Sequence, residues 1–149
     1  MLAEQTLAPD FIASDYLNRK VTLDNFAGKW FVMWWYPKAL TPGCTSCGTA
    51  FTKSIAAFED CEIVGVSYDS PEKNYKFAER FNFAFPLLTA DTKMSMRYGT
   101  YRKPEDPWFG VPRRISYLVN PKGIVEKSYK VLDPSRHPAQ VLADLKTLR

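Results

Sequence analysis

The chain has 149 residues, 46% of them hydrophobic and 15% aromatic, with a formal net charge of +4. That length and apolar share suit one folded domain over residues 1–149 and exclude a disordered or fibrous chain. The basic residues fall in scattered pairs, Arg19-Lys20, Arg102-Lys103 and Arg113-Arg114, without a basic block or zinc-finger spacing, so no nucleic-acid partner is expected.

Met1 to Asp10 carries an acid and a proline and lacks the basic start and apolar run of a signal peptide. The longest apolar stretch, Trp30 to Tyr36, is about a third of the ~20 residues a membrane span needs. A cytoplasmic protein with no membrane partner is expected. Its three cysteines, at positions 44, 47 and 61, are an odd count that suggests reactive or buried thiols in a reducing compartment.

In chain order, extended pieces near Phe11 to Ser14 and Lys20 to Leu23 precede a turn at Ala27-Gly28. Lys29 to Tyr36 (KWFVMWWY) is a continuous apolar and aromatic run, the pattern of a strand covered on both faces. After a loop containing Pro37 and Gly43, the spacing of Ala50, Phe51, Ile55 and Phe58 predicts a helix from about Cys44 to Glu59. Ile63 to Tyr68 reads as the next buried strand. Ser70 caps a following helix with Pro71 in its first position and Tyr75, Phe77, Ala78 and Phe81 as apolar contacts. Pro86 to Thr89 is a short strand, and Lys93 to Tyr98 a short helix stopped by Gly99. Arg114 to Val119 and Ile124 to Val131 form a hairpin about the turn Asn120 to Gly123. His137-Pro138 precedes a last helix with Val141, Leu142, Leu145 and Leu148 on one face. The order β–α–β–α, hairpin, helix predicts an α/β, thioredoxin-like fold: a central mixed β-sheet flanked by helices.

The chemistry concentrates in Pro37 to Cys47. A strand ending at Pro37 and a helix beginning near Cys44 place that thiol among free N–H groups and the positive end of the helix dipole, which favour a thiolate. Loop position gives the sulfur access to solvent. Thr41 can offer its hydroxyl to the sulfur and to a bound oxygen, and Gly43 permits close backbone approach. The bland alternative makes Cys44 an inert buried hydrophobe. A Cys–His hydrolase would need His137, the only histidine, which is expected on the surface at a helix start. Two neighbouring cysteines without a histidine do not complete a zinc set, so neither metal nor cofactor is expected.

Tyr36-Pro37-Lys38-Ala39-Leu40-Thr41-Pro42-Gly43-Cys44-Thr45 closely resembles the active-site segment of the Q-type peroxiredoxins, the bacterioferritin-comigratory-protein group. Pro37, Thr41 and Cys44 match its Pro-x-x-x-Thr-x-x-Cys pattern. The likeness extends through Ala8-Pro9-Asp10-Phe11, Leu23-x-x-Phe26-x-Gly28-Lys29, Gly65-Val66-Ser67 with Asp69, and Arg114 to Val119. The resemblance implies a thiol peroxidase in which Cys44 attacks a peroxide and becomes sulfenic acid. It also implies that Arg114 stabilises the thiolate and orients the peroxide, Thr41 hydrogen-bonds the peroxide, and Pro37 shields the sulfur. Arg113 is the rival for the arginine role, and strand alternation allows only one of the two to face the site. Thioredoxin or another thiol would be the reductant, and a monomer is implied.

Many Q-type enzymes carry a resolving cysteine five residues after the first, where this chain has Thr49. Three readings stay open: Cys47 resolves, Cys61 resolves, or an external thiol completes a one-cysteine cycle. Cys47 shares a helix face with Cys44 but is poorly aimed for a bond, and Cys61 is expected roughly 25 Å away along the helix. Cys44-Thr45-Ser46-Cys47 is also a Cys-x-x-Cys, which supports a rival function as a disulfide oxidoreductase. The thioredoxin-type pair would, however, fall at positions 41 and 44. A binding module without redox chemistry is the third option. Trp108-Phe109 either borders the peroxide entrance or packs.

Overall fold

The computed structural model describes residues 1–149. Its strands are β1 (Ile12–Asp15), β2 (Lys20–Thr22), β3 (Trp30–Trp35), β4 (Cys61–Ser67), β5 (Leu87–Thr89), β6 (Ile115–Val119) and β7 (Val125–Lys130). Its helices are α1 (Pro42–Lys53), α2 (Pro71–Phe81), α3 (Thr92–Arg97) and α4 (His137–Leu148). All seven strands join one mixed sheet in the order β2-β1-β5-β4-β3-β6-β7. β3, β4 and β5 run parallel, joined by α1 and α2, while β6 lies antiparallel to β3 and pairs with β7 as a hairpin. This is the mixed, helix-flanked arrangement that the order of elements predicts.

β3 is central because its side chains need cover on both sides. Val32, Trp34 and the following Tyr36 enter one core with Phe51 of α1, Phe77 of α2 and Val141 and Leu145 of α4. Phe31, Met33 and Trp35 enter the other, with Val64, Met94, Tyr98 and Tyr117. The continuous apolar run is therefore two alternating sets of anchors, one per face. On the first face, Phe83 stacks on Phe85 with ring centroids 5.1 Å apart. It also presses against Gly48 of α1, where an added Cβ would lie 2.3 Å from the ring.

Three details depart from the sequence reading. α1 stops at Lys53 rather than Glu59, and Ile55–Ala57 makes a separate 3-10 turn in which Ile55 is exposed. Ser54 closes the helix there, its N–H shared between the carbonyls of Ala50 and Phe51, and β4 already starts at Cys61. In α2, Ser70 caps as expected by accepting from the Lys73 N–H, but Asn74 is buried and Tyr75, an expected apolar contact, is exposed. Asn74 goes inside because its Oδ1 accepts the Tyr36 hydroxyl at 2.6 Å.

His137 also departs from its expected surface position. It is the first residue of α4 and is buried, with 2% exposure, rather than lying on the surface. Its ring meets Phe51 edge-to-face at 6.0 Å and Tyr129 at 5.0 Å. Packing out of water between two aromatic rings disfavours the charged imidazole. Burial, with the Arg114 charge adding to it, pushes the His137 pKa down to about 4, against a smaller opposing effect of Gln140.

Two stability predictions follow from this packing. Gly48→Ala gains helix propensity but drives a methyl into the Phe83 ring, for a net loss of about 1–2 kcal/mol in urea unfolding. For His137, the folded pKa lies below the unfolded one, so its contribution is complete above about pH 6.5 and is lost as pH falls toward 4. Between neutral pH and about pH 5 the native protein should lose about 2 kcal/mol more than His137→Phe, measured as the difference between their unfolding free energies. Parallel pH profiles would refute the assignment.

Candidate active site

β3 delivers the chain to the site at its carboxyl end. Tyr36 extends the strand by donating its N–H to Val66 O at 2.9 Å, and Pro37, which has no N–H, ends the ladder. Leu40 then takes the left-handed conformation, φ 67°, and turns the chain into α1. Thr41 is the N-cap residue, Pro42 occupies the first helical position, and the Thr45 N–H closes the first turn on Thr41 O at 2.9 Å. The N–H groups of Gly43 and Cys44, in that first turn, donate to no acceptor in the protein. These are the orphan donors that make a helix start receptive to negative charge.

Cys44 sits in this turn with its thiol fully buried, in the same core as Cys47, Phe51 and Phe83. The solvent access expected from a loop position is absent: Arg114, α1 and the preceding loop, whose Ala39 is buried in the same core, enclose the sulfur. Arg114 precedes β6, and its Nη2 donates to Cys44 Sγ at 3.6 Å. Gly43 makes that approach possible: a Cβ there would stand 2.9 Å from Arg114 Nη2. Arg113 points elsewhere, exposed and 3.8 Å from Asp106. Arg114 therefore faces the sulfur and Arg113 does not. Thr41 does not reach the sulfur either; its hydroxyl donates to Lys38 O at 2.7 Å, which leaves its lone pairs to accept from another group. Pro37 and Lys38 border an open cleft of about 350 Å3 with Tyr68, Asp69, Ser70, Lys73, Gly110 and Val111.

The other two thiols are in different circumstances. Cys47, one turn along α1, is buried, and desolvation pushes its thiol up to about 12, with Arg114 opposing and Cys44 adding to the rise. Cys61 is half-buried, and burial likewise raises its thiol to about 12. It is the first residue of β4, paired in register with Trp30 at the beginning of β3, whereas Cys44 follows the end of β3. The two cysteines thus lie at opposite ends of the sheet, although the connection is a 12-residue helix and a 3-10 turn rather than one long helix. A larger cleft of about 580 Å3 beside Cys61 is correspondingly remote from Cys44. Trp108 and Phe109 are both exposed, so they do not pack into the core. Asp106 braces their loop by accepting from the Trp108 N–H at 2.8 Å and pairing with Arg102 at 3.4 Å. No three His, Cys, Asp or Glu side chains converge as a metal-binding set.

Sequence reasoning missed Asp69, Asn74 and Tyr36 as parts of the site. The Ala39 N–H donates to Asp69 Oδ2 at 2.8 Å, and the Ser67 hydroxyl donates to the same oxygen at 2.9 Å. The signal was available in Gly65-Val66-Ser67-x-Asp69, which stands out only as a shared pattern, with no local cue to its partner 30 residues earlier.

The AhpC/TSA family model matches residues 5–128. Peroxiredoxin Bcp of Bacillus subtilis is 32% identical over 95% of this chain and 93% of its own length. A solved structure of the bacterioferritin comigratory protein of Xanthomonas campestris superimposes with a TM-score of 0.84 at 29% identity, covering 92% of this chain and 90% of that one. Peroxidoxin BcpB of Mycobacterium tuberculosis shares the fold with a TM-score of 0.90, over 100% of this chain and 99% of the other, at 24% identity. With the family match, the relatives and the fold in agreement, the chain belongs to the AhpC/TSA family and to its peroxiredoxin Q and Bcp group.

Proposed function

We propose that this chain is a thiol-dependent peroxidase, reducing hydrogen peroxide and organic hydroperoxides with Cys44 as nucleophile. The observation that carries the reading is the Arg114 Nη2 to Cys44 Sγ contact at 3.6 Å beside two unpaired helix N–H groups. A guanidinium and amide donors stabilise both a thiolate and the charge that shifts onto the leaving oxygen. The bacterioferritin comigratory protein of Xanthomonas campestris has alkyl peroxide reduction activity, which supports the same substrate class here.

The Cys44 thiolate attacks one peroxide oxygen, the O–O bond breaks, and the leaving oxygen takes a proton to become water or an alcohol. Cys44 is left as sulfenic acid, oxidised by two electrons. A reductant thiol then displaces water to form a mixed disulfide, and a second thiol releases Cys44. On this reading Thr41 accepts a hydrogen bond from the peroxide O–H, Arg114 orients the peroxide, and Pro37 limits water at the sulfur. No histidine base takes part, since His137 is packed between Phe51 and Tyr129. Cys44, Thr41 and Arg114 come from one chain, so a monomer suffices.

The external-thiol cycle is favoured over Cys47 as resolver. A thiol raised to about 12 is almost wholly protonated at neutral pH and attacks a sulfenic acid slowly. The same burial weighs against a Cys44/Cys47 disulfide oxidoreductase. Thioredoxin or a small thiol would serve as reductant, in keeping with a cytoplasmic setting.

Cys44→Ser should abolish peroxide consumption, and Cys47→Ser should keep it with dithiothreitol as reductant. Mass spectrometry after one equivalent of hydrogen peroxide should find a single added oxygen on Cys44. A Cys44–Cys47 disulfide would assign the resolving role to Cys47, and insulin reduction without peroxide consumption would favour the oxidoreductase. Arg114→Ala should slow the second-order reaction with hydrogen peroxide about 100-fold, the worth of a charge-assisted hydrogen bond, and Arg114→Lys about tenfold. Unchanged rates would remove Arg114 from the mechanism.

A further inference from the structure

A peroxide can reach a sulfur deep in a narrow site, but a thiol reductant must bring its own sulfur to bonding distance of Cys44. Cys44 is fully buried, so the second half of the cycle requires the preceding loop to open. What holds that loop shut can be read from its hydrogen bonds. Pro37 to Leu40 make a single hydrogen bond to the rest of the fold, from the Ala39 N–H to Asp69 Oδ2. The Thr41 hydroxyl only closes the loop on itself, at Lys38 O. Leu40, the next residue after Ala39, is held in the left-handed region at φ 67°, a strained conformation for a branched side chain. A single tether thus restrains a segment with a stored tendency to relax.

The tether is itself built firmly. Ser67 donates its hydroxyl to Asp69 Oδ2 at 2.9 Å and accepts the Asp69 N–H at 3.1 Å, which fixes the carboxylate. The Asp69 carbonyl accepts the Thr89 hydroxyl at 2.6 Å and Asn74 Nδ2 at 3.3 Å, tying the residue to β5 and α2 through its backbone. Asn74 in turn accepts the Tyr36 hydroxyl at 2.6 Å, anchoring the start of the same loop. Removing the Asp69 side chain would therefore release Ala39 while leaving the backbone anchors to β5, α2 and Tyr36 in place.

We propose that Asp69 is a positioning residue that clamps the Pro37–Leu40 loop over Cys44, favouring the peroxide step at the expense of access for the reducing thiol. The half-reaction part rests on the peroxidase reading; the clamp itself does not. Reduced protein would be labelled with iodoacetamide and each cysteine followed by mass spectrometry, with half-exposed Cys61 as internal control. In Asp69→Ala, labelling of Cys44 and Cys47 should rise about tenfold with Cys61 unchanged, the scale of one lost hydrogen bond to a charged group. In the same variant, oxidation by hydrogen peroxide should slow and reduction of the Cys44 sulfenic acid by dithiothreitol should accelerate, each about tenfold. Asp69→Asn, which retains an acceptor for the Ala39 N–H, should shift all of these the same way by less, and guards against a misfolded alanine variant.

Labelling that rises equally at all three cysteines would mean general destabilisation and would overturn the clamp. So would unchanged labelling in both variants, or two half-reactions that slow together. A wild-type protein that consumes no peroxide would defeat the peroxidase reading, and the labelling experiment would still decide the clamp.

Discussion

The contact between Arg114 and Cys44 is the constraint around which the site is arranged. A sulfur with no solvent exposure loses the hydration that would otherwise stabilise its charged form, and the desolvation must be offset by fixed donors. The Arg114 guanidinium reaches the sulfur, and the N–H groups of Gly43 and Cys44 stand unpaired in the same helical turn. Arg114 and Cys44 are 70 residues apart in sequence, and the sheet brings them together. Cys44 follows the end of β3, Arg114 precedes β6, and those strands are neighbours with Trp34 opposite Ser116. A one-residue slip in that pairing would reverse which side chains face α1 and offer Arg113 in place of Arg114. The buried Phe31, Trp34 and Trp35 of β3 and Tyr117 of β6 therefore matter to the chemistry because they lock the register.

α1 shows the same economy of packing. Two of its residues are glycines with close neighbours: Gly43 admits the Arg114 guanidinium and Gly48 admits the Phe83 ring. Its sequence, PGCTSCGTAFTK, is otherwise rich in Thr, Ser and Cys, all weak helix formers. Such a helix is held by what it packs against rather than by its own propensity. A first turn of this kind is suited to carrying a thiol that must be enclosed for one reaction and exposed for the next.

Features written in local sequence were legible, and features that depend on distant partners were not. The Ser70 cap, Pro71 in the first helical position, and the apolar run of β3 are each set within a few residues. The choice of Arg114 over Arg113 followed from motif register and strand alternation. By contrast, Ile55 and Tyr75 fall at helical spacing yet are exposed, since spacing alone cannot tell which turn of a helix still has a core beneath it. His137 and Asn74 are polar residues that composition sends to the surface. They are buried because Phe51 and Tyr129 sandwich one and Tyr36 bonds the other. Asp69 was visible only as part of a shared pattern, because its partner is a backbone N–H, which leaves no mark in the sequence.

The Cys-x-x-Cys at Cys44 and Cys47 makes the same point about chemistry. Spacing suggests a redox pair, but reactivity depends on where each sulfur sits relative to the helix start and to solvent. Cys44 has Arg114 and the orphan N–H groups, while Cys47, one turn further in, lies in the apolar core, where burial raises its thiol to about 12. A single helical turn is enough to give two thiols of one motif different polar surroundings. The two can become equivalent only if the first turn unwinds, which makes the stability of that turn, rather than the motif, the quantity that sets the role of Cys47.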